Sequence, residues 1–327
     1  MLVDRLHGAQ PMKRSKIKMN SATFQTPDAE SDLLLRCCAA SGPLPDGVAM
    51  RELVERDWNR FLALANRNSV TPMVGARLGA EGAANLPRHV VRALRLSYEA
   101  NALRCNHLAG CAVEVVDSFA AAGVPAIAIK GPALAITAYG DVAMRVFGDL
   151  DFMVRLSDLP RAVAALERVG YSSPAYRADV IASGFFPDVA LKFARPDGVV
   201  DLHWRLSPGY FPFAPAGEQL WNRTAEIEIL GRRVRVLGPG DSILFQASHG
   251  SKHGWMTLAQ ICDFACVLAA ATTVSWPDLL DDARHVGSLR MLLLGAELAH
   301  SLNLCEAPPE LVDAARHKST DAYSANE

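Results

Sequence analysis

The hydrophobic period of this chain changes twice, and those two changes limit its architecture more than any single motif does. From Ser31 to Ala122 apolar residues recur at helical spacing: Leu33, Leu34 and Leu35, then Leu53, Trp58, Phe61, Leu62 and Leu64, then a run from Pro87 to Ala122 rich in Ala, Leu and Val. Gly123-Val124-Pro125 breaks the pattern, and Ala126-Ile127-Ala128-Ile129 has the length and composition of a strand. After Gly240 helical spacing returns over Asp241 to His249, Leu258 to Ala270, Pro277 to Val286 and Leu289 to Leu304. The order predicts an α+β fold, a small mixed β-sheet core flanked by N-terminal and C-terminal helical regions. The expected divisions are a polar, aperiodic leader over 1–28, a helical region over 29–122, the α/β core over 123–238, a second helical region over 239–305 and a tail over 306–327.

Within the core, a strand is expected to end at Lys130. Gly131-Pro132 then opens a short helix over Ala133 to Tyr139, because proline suits a first helical turn. Leu150 to Val154 reads as a second strand, and Leu159 to Val169 as a helix stopped by Gly170. Val189 to Arg195 and Val199 to Trp204 read as a hairpin around Pro196-Asp197-Gly198. A second hairpin is expected from Glu226 to Leu230 and from Arg233 to Leu237, across Gly231-Arg232.

The chemistry concentrates on this sheet. Residues two apart in a strand face one side, so Asp149 and Asp151 present two carboxylates to one point while Leu150 packs behind. Such carboxylates repel each other unless a cation intervenes or a pKa rises, and Asp201, alternating with Val200 and Leu202, supplies a third. Hard oxygen ligands of this kind suit Mg2+ or Mn2+. Paired ions at such a site polarise an attacking hydroxyl and stabilise a leaving pyrophosphate, with Asp201 helping to activate the nucleophile. Lys130 and Gly131 stand at a strand-to-helix turn, where free N–H groups and a lysine charge attract phosphate. Arg145 is either a further phosphate ligand or the ion-pair partner of Asp141 or Asp149.

Taken together these residues resemble a known family. Ile129-Lys130-Gly131-Pro132-Ala133-Leu134-Ala135, Tyr139-Gly140-Asp141, Arg145, Asp149-Leu150-Asp151-Phe152-Met153-Val154 and Gly170-Tyr171 resemble the uncharacterised nucleotidyltransferases of the polymerase-beta-like superfamily. Asp201-Leu202-His203-Trp204 looks like that family's third-carboxylate strand. His249-Gly250-Ser251-Lys252-His253-Gly254-Trp255, with Leu258 and Asp263, looks like its helical C-terminal signature. The resemblance spans roughly residues 30 to 305. It implies transfer of a nucleoside monophosphate from a nucleoside triphosphate to a small-molecule, sugar or peptide acceptor, with magnesium on the three aspartates. It also makes Lys252 and His253 candidates for contact with nucleotide or acceptor. Most of the superfamily has a Gly-Ser pair at the strand-to-helix turn; here Gly131-Pro132 lacks the hydroxyl, which leaves phosphate binding to the backbone and Lys130.

Other residues carry competing readings. His249 and His253, four apart, have zinc-ligand spacing, but Gly250 and Gly254 argue against a regular helix and no glutamate lies between them. His203 shares the alternation of Asp201, and Trp204 and Trp255 are read first as core anchors. Asp263, in an apolar helical run, needs a partner, with Lys252 and Arg290 as the choices.

The sum of 33 Lys and Arg against 35 Asp and Glu gives a net charge of -2, which lends no support to nucleic acid as a partner. An RNA-directed, toxin-like transferase and an inactive nucleotide-binding module are the alternatives to a small-molecule enzyme. No uncharged apolar run approaches the roughly 20 residues of a bilayer span, and the N-terminus lacks the apolar core of a signal peptide. The expected location is cytoplasmic, with no membrane partner. Seven cysteines without a CxxC pair read as reduced, buried thiols.

Overall fold

The computed structural model describes residues 28–40, 57–81, 86–174, 190–215 and 217–315. Helices α1 (Ala29–Cys38), α2 (Trp58–Arg67), α3 (Thr71–Glu81) and α4 (Arg88–Ala121) precede the sheet. Asp28 and Asp57 cap the first two, each carboxylate accepting from free backbone N–H groups of the first turn. At 34 residues α4 is about 50 Å long and reaches from the N-terminal helices to the back of the sheet.

Six strands follow: β1 (Ala126–Ala128), β2 (Leu150–Val154), β3 (Ala190–Arg195), β4 (Gly198–His203), β5 (Ala225–Ile229) and β6 (Arg232–Val236). They form one mixed sheet in the order β3-β4-β2-β1-β6-β5, with β2 parallel to β4, β1 parallel to β6 and the other pairs antiparallel. Between β1 and β2 the chain makes a short α5 (Pro132–Leu134), a π-turn (Ala135–Tyr139) and a 3-10 turn (Val142–Met144). Helix α6 (Leu159–Arg168) packs behind β2, and α7 (Gly217–Asn222) precedes β5. The C-terminal helices are α8 (Pro239–Lys252), α9 (Leu258–Ala270), α10 (Trp276–His285) and α11 (Leu289–Ser301). A Thr257–Gln260 capping box starts α9.

Two apolar clusters divide the faces of the sheet. Leu150, Phe152, Val154, Val200 and Leu202 pack against α4 and α6 on one side. Ile127, Ile129 and Met153 face the C-terminal helices on the other, where the N-terminal helices join the same core through Leu33, Phe61, Val74 and Leu94. The two flanking helical regions therefore share one interior. Hydrogen bonds tie them directly: Ala40 N donates to Leu304 O at 2.6 Å, and Leu258 N to the Asn68 side-chain Oδ1 at 3.1 Å.

The structure shifts several expected boundaries. Gly198 joins β4, leaving Pro196-Asp197 as the turn, and Leu230-Gly231 turns the second hairpin with Leu230 at φ 49°. Val189, Leu53 and residues 1–27 and 316–327 lie outside the described residues. Contrary to the sequence expectation, α8 runs through Gly250 to Lys252, for a packing reason. A Cβ at Gly250 would stand 2.2 Å from the Trp255 ring, which is held edge-on to Phe264 at 5.7 Å and has Gly295 beside it. Trp255 thus serves the core, as the sequence suggested. Gly250→Ala is expected to lower stability by about 2–3 kcal/mol through overpacking. Thermal unfolding checks this, a fall of several degrees being expected and an unchanged Tm contradicting it.

All seven cysteines are buried and free. Among the described residues no helix is long and apolar enough to cross a membrane.

Candidate functional site

Parallel pairing of β2 and β4 sets Asp151 directly beside Asp201. Because Leu150, Phe152, Val200 and Leu202 fill the opposite face, both carboxylates emerge with Met153 and His203 on the side facing α8. Here they border a cavity of about 270 Å³ whose walls also include Lys130, His203, His249, Lys252 and His253. The sheet contributes acids, the turn after β1 and α8 contribute the cations Lys130 and Lys252, and the site lies at their seam.

Asp151 is only 3% exposed. Its Oδ1 accepts from Lys130 Nζ at 3.0 Å and lies 3.2 Å from His203 Nε2. Burial works to raise this carboxyl, but the His203 contact and the Lys130 charge outweigh it and hold Asp151 well below the usual carboxylate range. Asp201 has the opposite balance. Burial first and the Asp151 charge next push its carboxyl up, Asp149 adds to this, and Lys192 opposes it. Lys192 Nζ is 3.9 Å from Asp201 Oδ1, its cross-strand partner on β3. Two oxygens are left buried without a hydrogen-bond partner: Asp151 Oδ2 and Asp201 Oδ1.

Asp149 precedes β2 by one residue and is half-buried. Its carbonyl oxygen lies 3.1 Å from where a Cβ of Gly131 would stand. Gly131 itself has φ 59° and ψ −133°, a conformation that side chains disfavour, so the turn after β1 needs glycine. That turn aims Lys130 at Asp151 rather than outward.

On α8, burial and then the charges of Lys130 and His253 push His249 down to about 2, so its ring is neutral at physiological pH. His253 is lowered by burial, Lys252 and Lys130. Their rings lie edge to face, 4.6 Å apart. Among the described residues, three metal-ligating side chains come within 4.8 Å of one another only at His107, Cys111 and Asp197, away from this cavity. Arg195 dominates that cluster, donating to Cys111 Sγ at 3.3 Å and pairing with Asp197 and Glu114.

Arg145 lies outside the carboxylate cavity. It pairs with neither Asp141 nor Asp149; its guanidinium forms a fork on Asp263, with Nε to Oδ1 at 2.8 Å and Nη2 to Oδ2 at 2.9 Å. Tyr139 donates to the same Asp263 Oδ1 at 2.7 Å. Asp263 is thus served from the core and not by Lys252 or Arg290. Burial opposes the Arg145 charge, but Asp263 more than restores it and raises the pKa. This buried triad fastens the turns after β1 to α9.

Lys192 adds a cation to the site that no sequence motif marks. Its position opposite Asp201 follows once Pro196-Asp197 is taken as a two-residue turn, because the register is then fixed along the hairpin.

A family model described as uncharacterised nucleotidyltransferase matches residues 54–303. No curated protein matches the sequence at a significant level. Two solved structures are distantly similar. One is the solution structure of the antibiotic-resistance factor ANT(2'')-Ia, at 16% identity over 67% of this chain and 98% of that one, with a TM-score of 0.34. The other is the crystal structure of ANT(2'')-Ia in complex with adenylyl-2''-tobramycin, at 16% identity over 60% of this chain and 94% of that one, again with a TM-score of 0.34. The assignment rests on the family model, which spans the sheet, the carboxylate cavity and α8. The chain belongs to the uncharacterised nucleotidyltransferase family.

Proposed function

We propose that this nucleotidyltransferase moves a nucleoside monophosphate from a nucleoside triphosphate to a hydroxyl on a small-molecule, sugar or peptide acceptor, using a divalent cation held by Asp149, Asp151 and Asp201. The observation that carries the reading is the pair of buried carboxylate oxygens without a hydrogen-bond partner, Asp151 Oδ2 and Asp201 Oδ1, on adjacent strands beside three lysines. Unsatisfied buried oxygens are costly, and a hard cation such as magnesium or manganese suits that donor set. Bound there, such a cation would offset the charge of the triphosphate and make the acceptor hydroxyl a better nucleophile.

The protein's own groups supply the rest. Lys130, Lys252 and Lys192 bring positive charge to the phosphates, and the Gly131 turn lets the backbone approach closely. Asp201, with its carboxyl raised, is the group suited to take the hydroxyl proton. The acceptor oxygen then bonds to the α-phosphorus as the bond to the β-phosphate oxygen breaks, and pyrophosphate leaves.

Calorimetric titration of each nucleoside triphosphate, with and without magnesium, tests the donor half of this account. Wild-type protein is expected to bind one or more of them in a saturable, metal-dependent manner, and an Asp149→Asn, Asp151→Asn double variant that remains folded is expected to lose that binding. Equal affinity in the two proteins would contradict the assignment of the aspartates.

A further inference from the structure

Beside the carboxylate cavity lies a larger one, of about 560 Å³, within the range of small-ligand sites. The two share Leu206 and Ser207 as a common wall. They are also one strand pair apart: Met153 borders the larger cavity, and its register partner His203 borders the smaller. A ligand in the larger space therefore lies across the Leu206-Ser207 wall from the cavity that Asp201 borders.

The lining is apolar and aromatic, with Trp204, Phe211, Phe213 and Trp221 among its walls. Its charges are Arg155, Arg205 and Glu218. Glu218, the one carboxylate on the described lining, is fully engaged: Arg155 Nε and Nη2 meet its two oxygens at 3.0 and 3.1 Å. The Arg155 guanidinium also lies over the Trp221 ring, 4.2 Å from its centroid. Arg205, exposed at the rim, has no carboxylate partner among the described residues. The cavity thus offers aromatic surface and one uncompensated guanidinium, and no free acid to receive an amine.

From this we infer that the larger cavity is the acceptor site, and that it takes a compact, largely apolar hydroxyl compound bearing one anionic group, carboxylate or phosphate, which Arg205 engages. A polycationic acceptor would meet an unpaired arginine and a neutralised glutamate, and is disfavoured by charge. The inference rests on the transferase reading above for its chemistry, but the binding it describes is measurable alone.

The probe is N-dansyl-L-serine, which combines one carboxylate, one hydroxyl and an apolar ring system; its uncharged amide and dansylcadaverine, which is cationic, are the controls. Fluorescence titration of the full chain is expected to rank the carboxylate first. Arg205→Glu should weaken it by about tenfold, as for loss of a charged hydrogen bond, and should bring dansylcadaverine level or better, with Arg205→Lys restoring most of the loss. Nucleoside triphosphate affinity should be unchanged in these variants, since Arg205 does not border the carboxylate cavity. A wild-type protein that binds the cationic probe as well as the anionic one, or an Arg205→Glu variant with unchanged preference, overturns the inference. Binding of dansyl-serine with the expected preference, but no gain of a nucleoside monophosphate in mass when magnesium and triphosphate are added, would support the cavity and count against the transferase reading.

Discussion

Asp201→Asn is expected to lower the rate of pyrophosphate release by a thousandfold or more, equivalent to about 4 kcal/mol of transition-state stabilisation, while leaving the metal-free protein at least as stable as wild type. The two halves of the expectation have one origin. Asp201 is half-buried beside Asp151 and Asp149, and its carboxyl is raised in the folded state. A raised carboxyl contributes its stability below the unfolded pKa and loses it as pH rises through the folded value, so at neutral pH ionised Asp201 opposes folding. Replacing it with the neutral amide removes that opposition together with the proton acceptor. Asp151 behaves otherwise, because its carboxyl is lowered and it holds Lys130 and His203. Asp151→Asn should cost stability above the usual carboxylate range as well as activity. Thermal unfolding with a pyrophosphate-release assay separates the two variants. A Tm for Asp201→Asn several degrees below wild type would show that its charge is compensated in the folded protein.

Arg145→Leu is expected to destabilise the protein by about 3–5 kcal/mol, since it leaves Asp263 buried without its fork. The Asp263→Leu change should cost a similar amount, and the double variant clearly less than the two singles together, because the surviving partner no longer carries an unpaired buried charge. The pair spans 118 residues and joins the turns after β1 to α9, so the loss should appear as one cooperative shift in Tm, of the order of 10 °C. Arg145 as a phosphate ligand would behave differently, weakening triphosphate binding with little change in Tm. The paired measurement, Tm and triphosphate affinity on one variant, decides between the two roles.

What was legible in the sequence was local. The switch from helical to strand period marks the sheet, and the alternation in Asp149-Leu150-Asp151 and Val200-Asp201-Leu202 separates the faces of β2 and β4. Sequence cannot show that β2 and β4 are neighbours, since 43 residues separate Val154 from Gly198. That adjacency is set by the parallel register, and with it comes the pairing of Asp151 with Asp201. Gly250 imitates a helix break in the sequence, whereas in the fold it accommodates a tryptophan five residues on, a tertiary requirement that local pattern does not show. The apolar run around Asp263 shows that it needs a partner, yet Arg145 lies too far along the chain for any periodicity to nominate it. Lys192 was hidden by a one-residue ambiguity in the hairpin turn.

The most direct test of nucleotidyl transfer is the identity of the leaving group. The wild-type protein, incubated with magnesium, a nucleoside triphosphate labelled at the α-phosphate and N-dansyl-L-serine as the hydroxyl acceptor, is followed by phosphorus NMR. Pyrophosphate and a product that retains the α-phosphate and the base are expected, both lost in Asp201→Asn. Release of a nucleoside diphosphate with transfer of the γ-phosphate would contradict it, since the chemistry would then be phosphoryl and not nucleotidyl transfer.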